Sequence, residues 1–330
     1  MHQIQLEDIS KRFTISQRPK GKHSAFKSLF HREKRTVEAL KHISFTIEEG
    51  ELVGYIGPNG AGKSTTVKVM SGILTPEEGN CSILGRTPWK ERTAHVANIG
   101  VVFGQRSQLW WDVPARDSFE LLRDIYGIPR ARYTERLREL SKALELAPLL
   151  SVPVRQLSLG QRMRCEAAAA LLHSPRILFL DEPTIGLDAV SKLALRDFLK
   201  EENRKNGVTM ILTTHDMDDI DALCTRVMTI GHGRLLYDGT LQELKKTYAP
   251  LHRIRATLQS PACLPENPPE GILRWKLEGK ICTAVFDSRK TPAHRLIAAL
   301  AELLPLQDIV VEEQSVDEMV ASMYQSLDLS

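Results

Sequence analysis

The sequence predicts an α/β fold: a parallel sheet flanked by helices, with an antiparallel β subdomain and a helical subdomain, followed by a small C-terminal α+β domain. Three observations predict it. Short apolar runs at residues 52–56, 99–103 and 177–180, with a further strand at 208–213, alternate with segments whose apolar residues recur every three or four positions, the pattern of buried parallel strands and covering helices. A nine-residue glycine-rich stretch at 57–65 separates the first run from a helical segment. Beyond residue 248, Pro261, Pro265, Pro268 and Pro269 interrupt regular structure and mark a change of domain.

In chain order, residues 4–9 read as a strand, and Ile43, Phe45 and Ile47 alternate with polar residues before a Glu49-Gly50 turn, so the start of the chain predicts a small antiparallel sheet. The run at 52–56 then feeds the glycine-rich loop and a helix at 64–70. After the strand at 99–103, residues 118–126 and 133–146 have helical spacing, which places a helical insert at about 108–160. Helix 161–172, strand 177–180, helix 190–204 and strand 208–213 follow, and residues 226–230 and 234–237 flank Gly231-His232-Gly233 as a closing hairpin. A helix at 241–248 ends the main domain, residues 1–245. The second, 246–330, reads as strands 272–277 and 281–286 around Glu278-Gly279, helix 292–304, strand 309–312 and helix 315–324.

The 330 residues carry a net charge of +3, too small to imply nucleic-acid binding. No stretch approaches the ~18 to 20 apolar residues of a membrane span, so any membrane passage belongs to another polypeptide. The N-terminus lacks a basic-then-apolar leader, which predicts a cytosolic chain. Five scattered cysteines, none in C-x-x-C spacing, argue against a disulfide framework or a zinc site. Charge is concentrated in a basic insertion at 14–36: between Lys11 and Arg35, nine Lys and Arg residues face the single acid Glu33. It admits two readings, a solvated loop or, through the apolar spacing of Ala25, Phe26, Leu29 and Phe30, a segment at 20–35 that contacts anionic lipid or a membrane subunit.

Gly57-Pro58-Asn59-Gly60-Ala61-Gly62-Lys63-Ser64-Thr65 matches G-x-x-x-x-G-K-[ST] between a strand and a helix, the context of a phosphate-binding P-loop. Its glycines let successive amides face one anion, the helix N-terminus adds partial positive charge, Lys63 reaches terminal phosphates and Ser64 offers a hydroxyl to Mg²⁺. The strand at 177–180 ends in Asp181-Glu182, where a metal-bound phosphate would lie. Asp181 suits Mg²⁺, directly or through water, and Glu182 suits the general base for an attacking water.

Leu157-Ser158-Leu159-Gly160-Gln161 closely resembles the signature motif of ABC ATPases, and the resemblance extends from residue 4 to 244: Gln105 as a Q-loop, Gly186-Leu187-Asp188 as a D-loop and His215 as the switch histidine. It implies a P-loop NTPase of ABC type that binds ATP with Mg²⁺ and hydrolyses it. Two such domains, from a homodimer or a paralogous ATPase subunit, would enclose two ATP molecules. Ser158, the backbone of Gly160, and Gln161 would contact the nucleotide across the interface, with Asp188 bracing the P-loop opposite. Gln105 would touch Mg²⁺ or the water, His215 would hold the γ-phosphate, and Phe13 would stack on adenine. Leu159 replaces the commoner glycine and is not assigned a contact.

The basic insertion, Val102-Phe103-Gly104-Gln105-Arg106, Leu109-Trp110-Trp111-Asp112 and residues 215–219 make the chain similar to ABC-2-type exporter ATPases of the bacterial drug and viologen type. That implies separately encoded integral membrane permease subunits and a peripheral place on the cytoplasmic face of the cell membrane. The tail resembles the C-terminal extension of such ATPases, a dimer contact, a regulator or an appendage. The alternative class, a soluble ABC ATPase acting on ribosomes or nucleic acid, carries two cassettes or long coiled coils, whereas this chain has one P-loop, one signature and no heptad run between them.

Overall fold

Alternating apolar residues set the first sheet. Along β1 (His2–Gln17) Ile4 and Leu6 are buried, and along β2 (Glu33–Glu48) so are Ile43, Phe45 and Ile47. The antiparallel register sets Ile4 opposite Ile47 and Leu6 opposite Phe45, so one face of the ribbon is apolar. The computed structural model describes residues 2–17, 33–104, 106–214, 216–265, 267–314, 318, 319 and 321–323, and residues 18–32 of the basic insertion lie outside them.

β3 (Leu52–Ile56) is buried at every position and runs into α1 (Lys63–Met70). β4 (Glu78–Ile83) then pairs antiparallel with β1, giving a sheet of order β2-β1-β4. The sequence reading leaves out β4 and the five-residue α2 (Arg92–Val96). β4 buries only Cys81 and Ile83, too few for a period of two to register.

β5 (Ile99–Phe103) follows, then α3 (Ala115–Ile125) and α4 (Arg130–Ala143), a 3₁₀ turn at Val154–Gln156 and α5 (Leu159–Leu171). β6 (Ile177–Asp181), α6 (Ala189–Asn206), β7 (Thr209–Thr214), α7 (Met217–Leu223), β8 (Arg226–Gly231) and β9 (Arg234–Thr240) complete the series. The central sheet has order β5-β6-β7-β3-β8-β9, and β5, β6, β7, β3 and β8 pair in parallel. Positive φ at both His232 (45°) and Gly233 (78°) makes the β8–β9 connection a two-residue turn with the twist a hairpin needs.

Both sheets share one apolar core, where Ile4, Ile43, Tyr55, Val67, Phe179 and Met228 meet. Each large apolar side chain so buried contributes about 1.5 to 3 kcal/mol. This core fixes the carboxyl ends of β3, β6 and β7, and the site is built there.

His173, just past α5, stacks on Tyr126 with ring centroids 4.0 Å apart, and its Nε2 lies 2.9 Å from the Ile99 carbonyl. Burial lowers its pKa from the ordinary 6.5 to about 4, and its buried Nδ1 has no hydrogen-bond partner among the described residues, so protonation would leave a donor stranded. The folded state prefers neutral imidazole. Its contribution to stability is therefore complete above pH 6.5 and is lost as pH falls from there through about 4. His95, bonded to the Met70 carbonyl, is shifted the same way by burial. Denaturant midpoints across pH 7 to 4 are expected to fall less steeply in His173→Gln than in the parent; identical slopes would contradict this assignment.

The chain divides into two compact units, Met1–Asp238 and Gly239–Ser330. In the second, Thr240 and Glu243 form a capping box that starts α8 (Leu241–Tyr248). β10 (Leu251–Leu258), β11 (Ile272–Glu278), β12 (Ile281–Asp287), α9 (Ala293–Leu303) and β13 (Leu306–Glu312) follow. The sheet has order β11-β12-β10-β13, and α9 packs Leu296 and Leu300 against Ile254, Ala256, Ala284 and Phe286. The sequence reading also leaves out β10, a central strand of this sheet. Of the helix expected at 315–324, residues 318, 319 and 321–323 are described, and they are helical.

Candidate active site

The P-loop is moulded by backbone from distant parts of the chain. Gly62, the N-cap of α1, has φ 118°, and a Cβ there would lie 2.7 Å from the Ala39 carbonyl, so glycine alone fits. Gly233 N donates to Ala61 O at 2.9 Å, and Lys41 N donates to Gly233 O at 2.7 Å. Gly62 brings no capping side chain to α1, and the amino end of a helix attracts an anion.

Lys63 is buried, with Nζ donating to the carbonyls of Gly57 at 2.6 Å and Pro58 at 3.1 Å. The same ammonium lies 4.0 Å from Glu182 Oε1. Asp181 Oδ1 accepts from Thr213 Oγ1 at 2.6 Å and from Ser64 Oγ at 3.0 Å. Glu182 takes a left-handed backbone, φ 52°, with its amide donating to Thr213 O at 2.9 Å. A Cβ on Gly104 would come within 2.3 Å of the Glu182 carbonyl, so β5 closes against this turn. A non-glycine residue held in that region stores strain, and here it sits beside Lys63.

Two clefts open on these groups. One of about 150 Å³ is lined by Asn59, Gly60, Lys63, Ser64, Ala39 and Glu182. The other, about 380 Å³, is lined by Ser64, Lys68, Phe103, Arg106, Asp181 and Glu182. A third, of about 510 Å³, is lined by Arg136 and Arg176, whose charges pair with Glu202 and Glu49 at 2.7 and 3.0 Å. That one has no such meeting of loop and strand ends.

The signature segment lies elsewhere in the unit. Ser158 caps α5: its Oγ accepts from Gln161 N at 3.2 Å, and Gln161 Oε1 accepts from Ser158 N at 2.9 Å. Gly160 is buried so closely against α6 that a Cβ would lie 2.6 Å from Ser191 Oγ. Asp188 caps α6, with Oδ1 accepting from Ser191 N at 2.8 Å, and this bond holds its carboxyl below the usual range. Leu159 packs on Gly186. Ser158, Gly160 and Asp188 thus form one cluster, and none of the three lines the P-loop clefts. Phe13, paired with Val37 on the ribbon and 5.7 Å from Lys11 Nζ, lines neither cleft either. Gln105 and His215 lie outside the described residues.

Sequence reasoning passed over Thr213, which binds both Asp181 and the Glu182 amide, and Ala39, whose carbonyl shapes the loop. The run of threonines closing an otherwise apolar strand, Thr213-Thr214, was the available signal for the first. Ala39 had none.

A phosphate cradle at the end of a central parallel strand, with paired carboxylates leaving the strand two places along the sheet, defines a P-loop nucleotide-binding ATPase. The family model for ABC transporters matches residues 40–185. The chain is 34% identical over 215 residues to the ABC transporter ATP-binding protein NatA of Bacillus subtilis, covering 65% of this chain and 87% of that protein. It is 34% identical over 209 residues to the probable multidrug ABC transporter ATP-binding protein YbhF of Escherichia coli, covering 63% of this chain but 35% of that longer protein. Its fold matches the dimeric, post-hydrolysis ATP-binding cassette MJ0796 bound to ADP and Pi, with TM-score 0.61 and 27% identity over 72% of this chain and 98% of that one. The chain belongs to the ABC transporter family as an ATP-binding subunit, and it is an ATPase.

Proposed function

We propose that the chain works as one of a pair of ATPase subunits of an ABC-2-type exporter and drives separately encoded transmembrane subunits from the cytoplasmic face of the cell membrane. The observation that carries this reading is the separation of the Ser158–Gly160–Asp188 cluster from the P-loop clefts. Phosphate donors that cannot serve their own P-loop fit an ATP held by a second copy or a paralogous subunit. The MJ0796 cassette is a dimer, which supports the pairing. Among the described residues no helix is long and apolar enough to cross a membrane, which supports a peripheral place beside partner permeases. YbhF, by its name a probable multidrug transporter subunit, supports export.

In this reading the amides of residues 60–65 and Lys63 hold the β- and γ-phosphates, and Phe13 stacks on the adenine. The hard oxygens of Ser64 and Asp181, 3.0 Å apart, fit Mg²⁺, which keeps most of its waters and takes few protein ligands. When bound, the ion would neutralise charge developing between the β- and γ-phosphates. Glu182 accepts a proton from the water that attacks the γ-phosphorus, and the bond to the bridging oxygen breaks to release ADP and phosphate. Gln105 and His215 orient the water and hold the γ-phosphate. Ser158, Gly160 and Gln161 of one subunit complete the site of the other, with Asp188 bracing the interface. The basic segment 20–35 supplies contact with anionic lipid.

Detergent extraction of native membranes with the tagged chain, followed by reconstitution with whatever integral membrane protein accompanies it, tests the role. ATP-dependent efflux from proteoliposomes, relative to the ATPase face, is the expected result. Uptake toward that face would reverse the direction, and recovery without any membrane protein would remove the transport role.

A further inference from the structure

Glu166 has no part in the reading above, yet its position needs a cause. It sits in α5 within Cys165-Glu166-Ala167-Ala168-Ala169-Ala170, a run that is otherwise small and buried, and is itself only 2% exposed. A carboxyl there costs free energy unless donors surround it. Among the described residues, its side-chain hydrogen bonds come from one short segment. Ser107 Oγ meets Oε1, Gln108 N donates to Oε2 at 3.2 Å, and Gln108 Nε2 donates to the Glu166 carbonyl at 3.1 Å. Burial pushes the carboxyl's pKa up against the pull of these hydrogen bonds.

One turn earlier on the same helix face, Arg162 lies over the Trp111 ring at 5.7 Å. α5 therefore grips residues 107–111 at both ends. The amino end of that helix carries Ser158 and Gly160, and the gripped segment begins two residues after Gln105 in the chain. An apolar side chain would fill the space at lower cost. A buried carboxylate instead ties one helix to one loop with directional bonds.

We propose that Glu166 is a positioning residue for ATP hydrolysis, coupling the signature end of α5 to the segment that follows Gln105 so that the two shift together. This rests on the roles given above to Ser158, Gly160 and Gln105.

The test uses the full chain with MgATP and the variants Glu166→Gln, Ser107→Ala, their double combination, and Glu182→Gln as a reference. Turnover, KM, ATP affinity and melting temperature are measured for each. Expected are ATP affinities within about 2-fold of the parent and turnover lowered about 10-fold in each of the two single variants, with the double variant no slower than the slower single. A helix that merely packs would not split turnover from affinity. Unchanged turnover in folded Ser107→Ala, or losses that multiply in the double variant, would overturn the coupling, and Ser107→Ala keeps the test valid should Glu166→Gln fail to fold. If Glu182→Gln loses turnover while these variants keep theirs, only the coupling is wrong; if Glu182→Gln hydrolyses normally, the catalytic reading beneath it is wrong.

Discussion

Glu182→Gln should bind ATP with nearly parental affinity yet hydrolyse it about 10²- to 10⁴-fold more slowly, the range supplied by a positioned general base. The geometry singles this carboxylate out from its neighbour. Asp181 is engaged by Ser64 and Thr213, whereas the Glu182 side chain lines both clefts and stands 4.0 Å from the Lys63 ammonium. Its backbone is held at φ 52° by the hydrogen bond its amide donates to the Thr213 carbonyl and by the close approach of Gly104. Glutamine has the same shape and keeps hydrogen-bond reach, but it cannot take a proton. In the paired reading proposed above, two subunits close on ATP before hydrolysis, so the variant should also accumulate as a dimer in MgATP, read by light scattering after gel filtration. A monomer with full turnover would defeat both the base assignment and the paired site.

Lys63→Ala should weaken ATP binding by about 10- to 100-fold, as the loss of a charge-assisted hydrogen bond of about 1.5 to 3 kcal/mol implies. In the structure the ammonium is folded back on the Gly57 and Pro58 carbonyls, buried beneath the loop. It therefore both braces the loop and stands ready for terminal phosphates, so the penalty should be large for ATP and ADP and small for AMP. Calorimetric titration with the three nucleotides separates these cases. Equal weakening for all three would mean that Lys63 serves the loop alone.

Legibility followed the range of the contacts. Strands Leu52–Ile56 and Ile99–Phe103 and helix Leu241–Tyr248 have the bounds expected of them, because each is a short, uniform or well-capped stretch. β10 was passed over although Ile254, Ala256 and Leu258 alternate with Arg253, Arg255 and Thr257. The prolines from Pro261 onward break the regular pattern directly after it. α7 was passed over because Met217–Leu223 is acidic at its start and only seven residues long, too short for a helical period to stand out. At the site, the P-loop and Asp181-Glu182 were legible because their chemistry is contiguous. Thr213 reaches Asp181 across 32 positions and Glu166 reaches Ser107 across 59. No local pattern records such a pairing.

The turn between β8 and β9 bears on what counts as the smallest working piece of this chain. Gly233 holds Ala61, and the Ala39 carbonyl closes on Gly62, so the loop's shape is cast by residues from both flanks of the matched segment 40–185. That segment contains the whole phosphate-binding motif and lacks the carboxyl-terminal half of its mould. The phosphate cradle is thus assembled late along the chain, complete only once residues near 233 have folded back against Ala61.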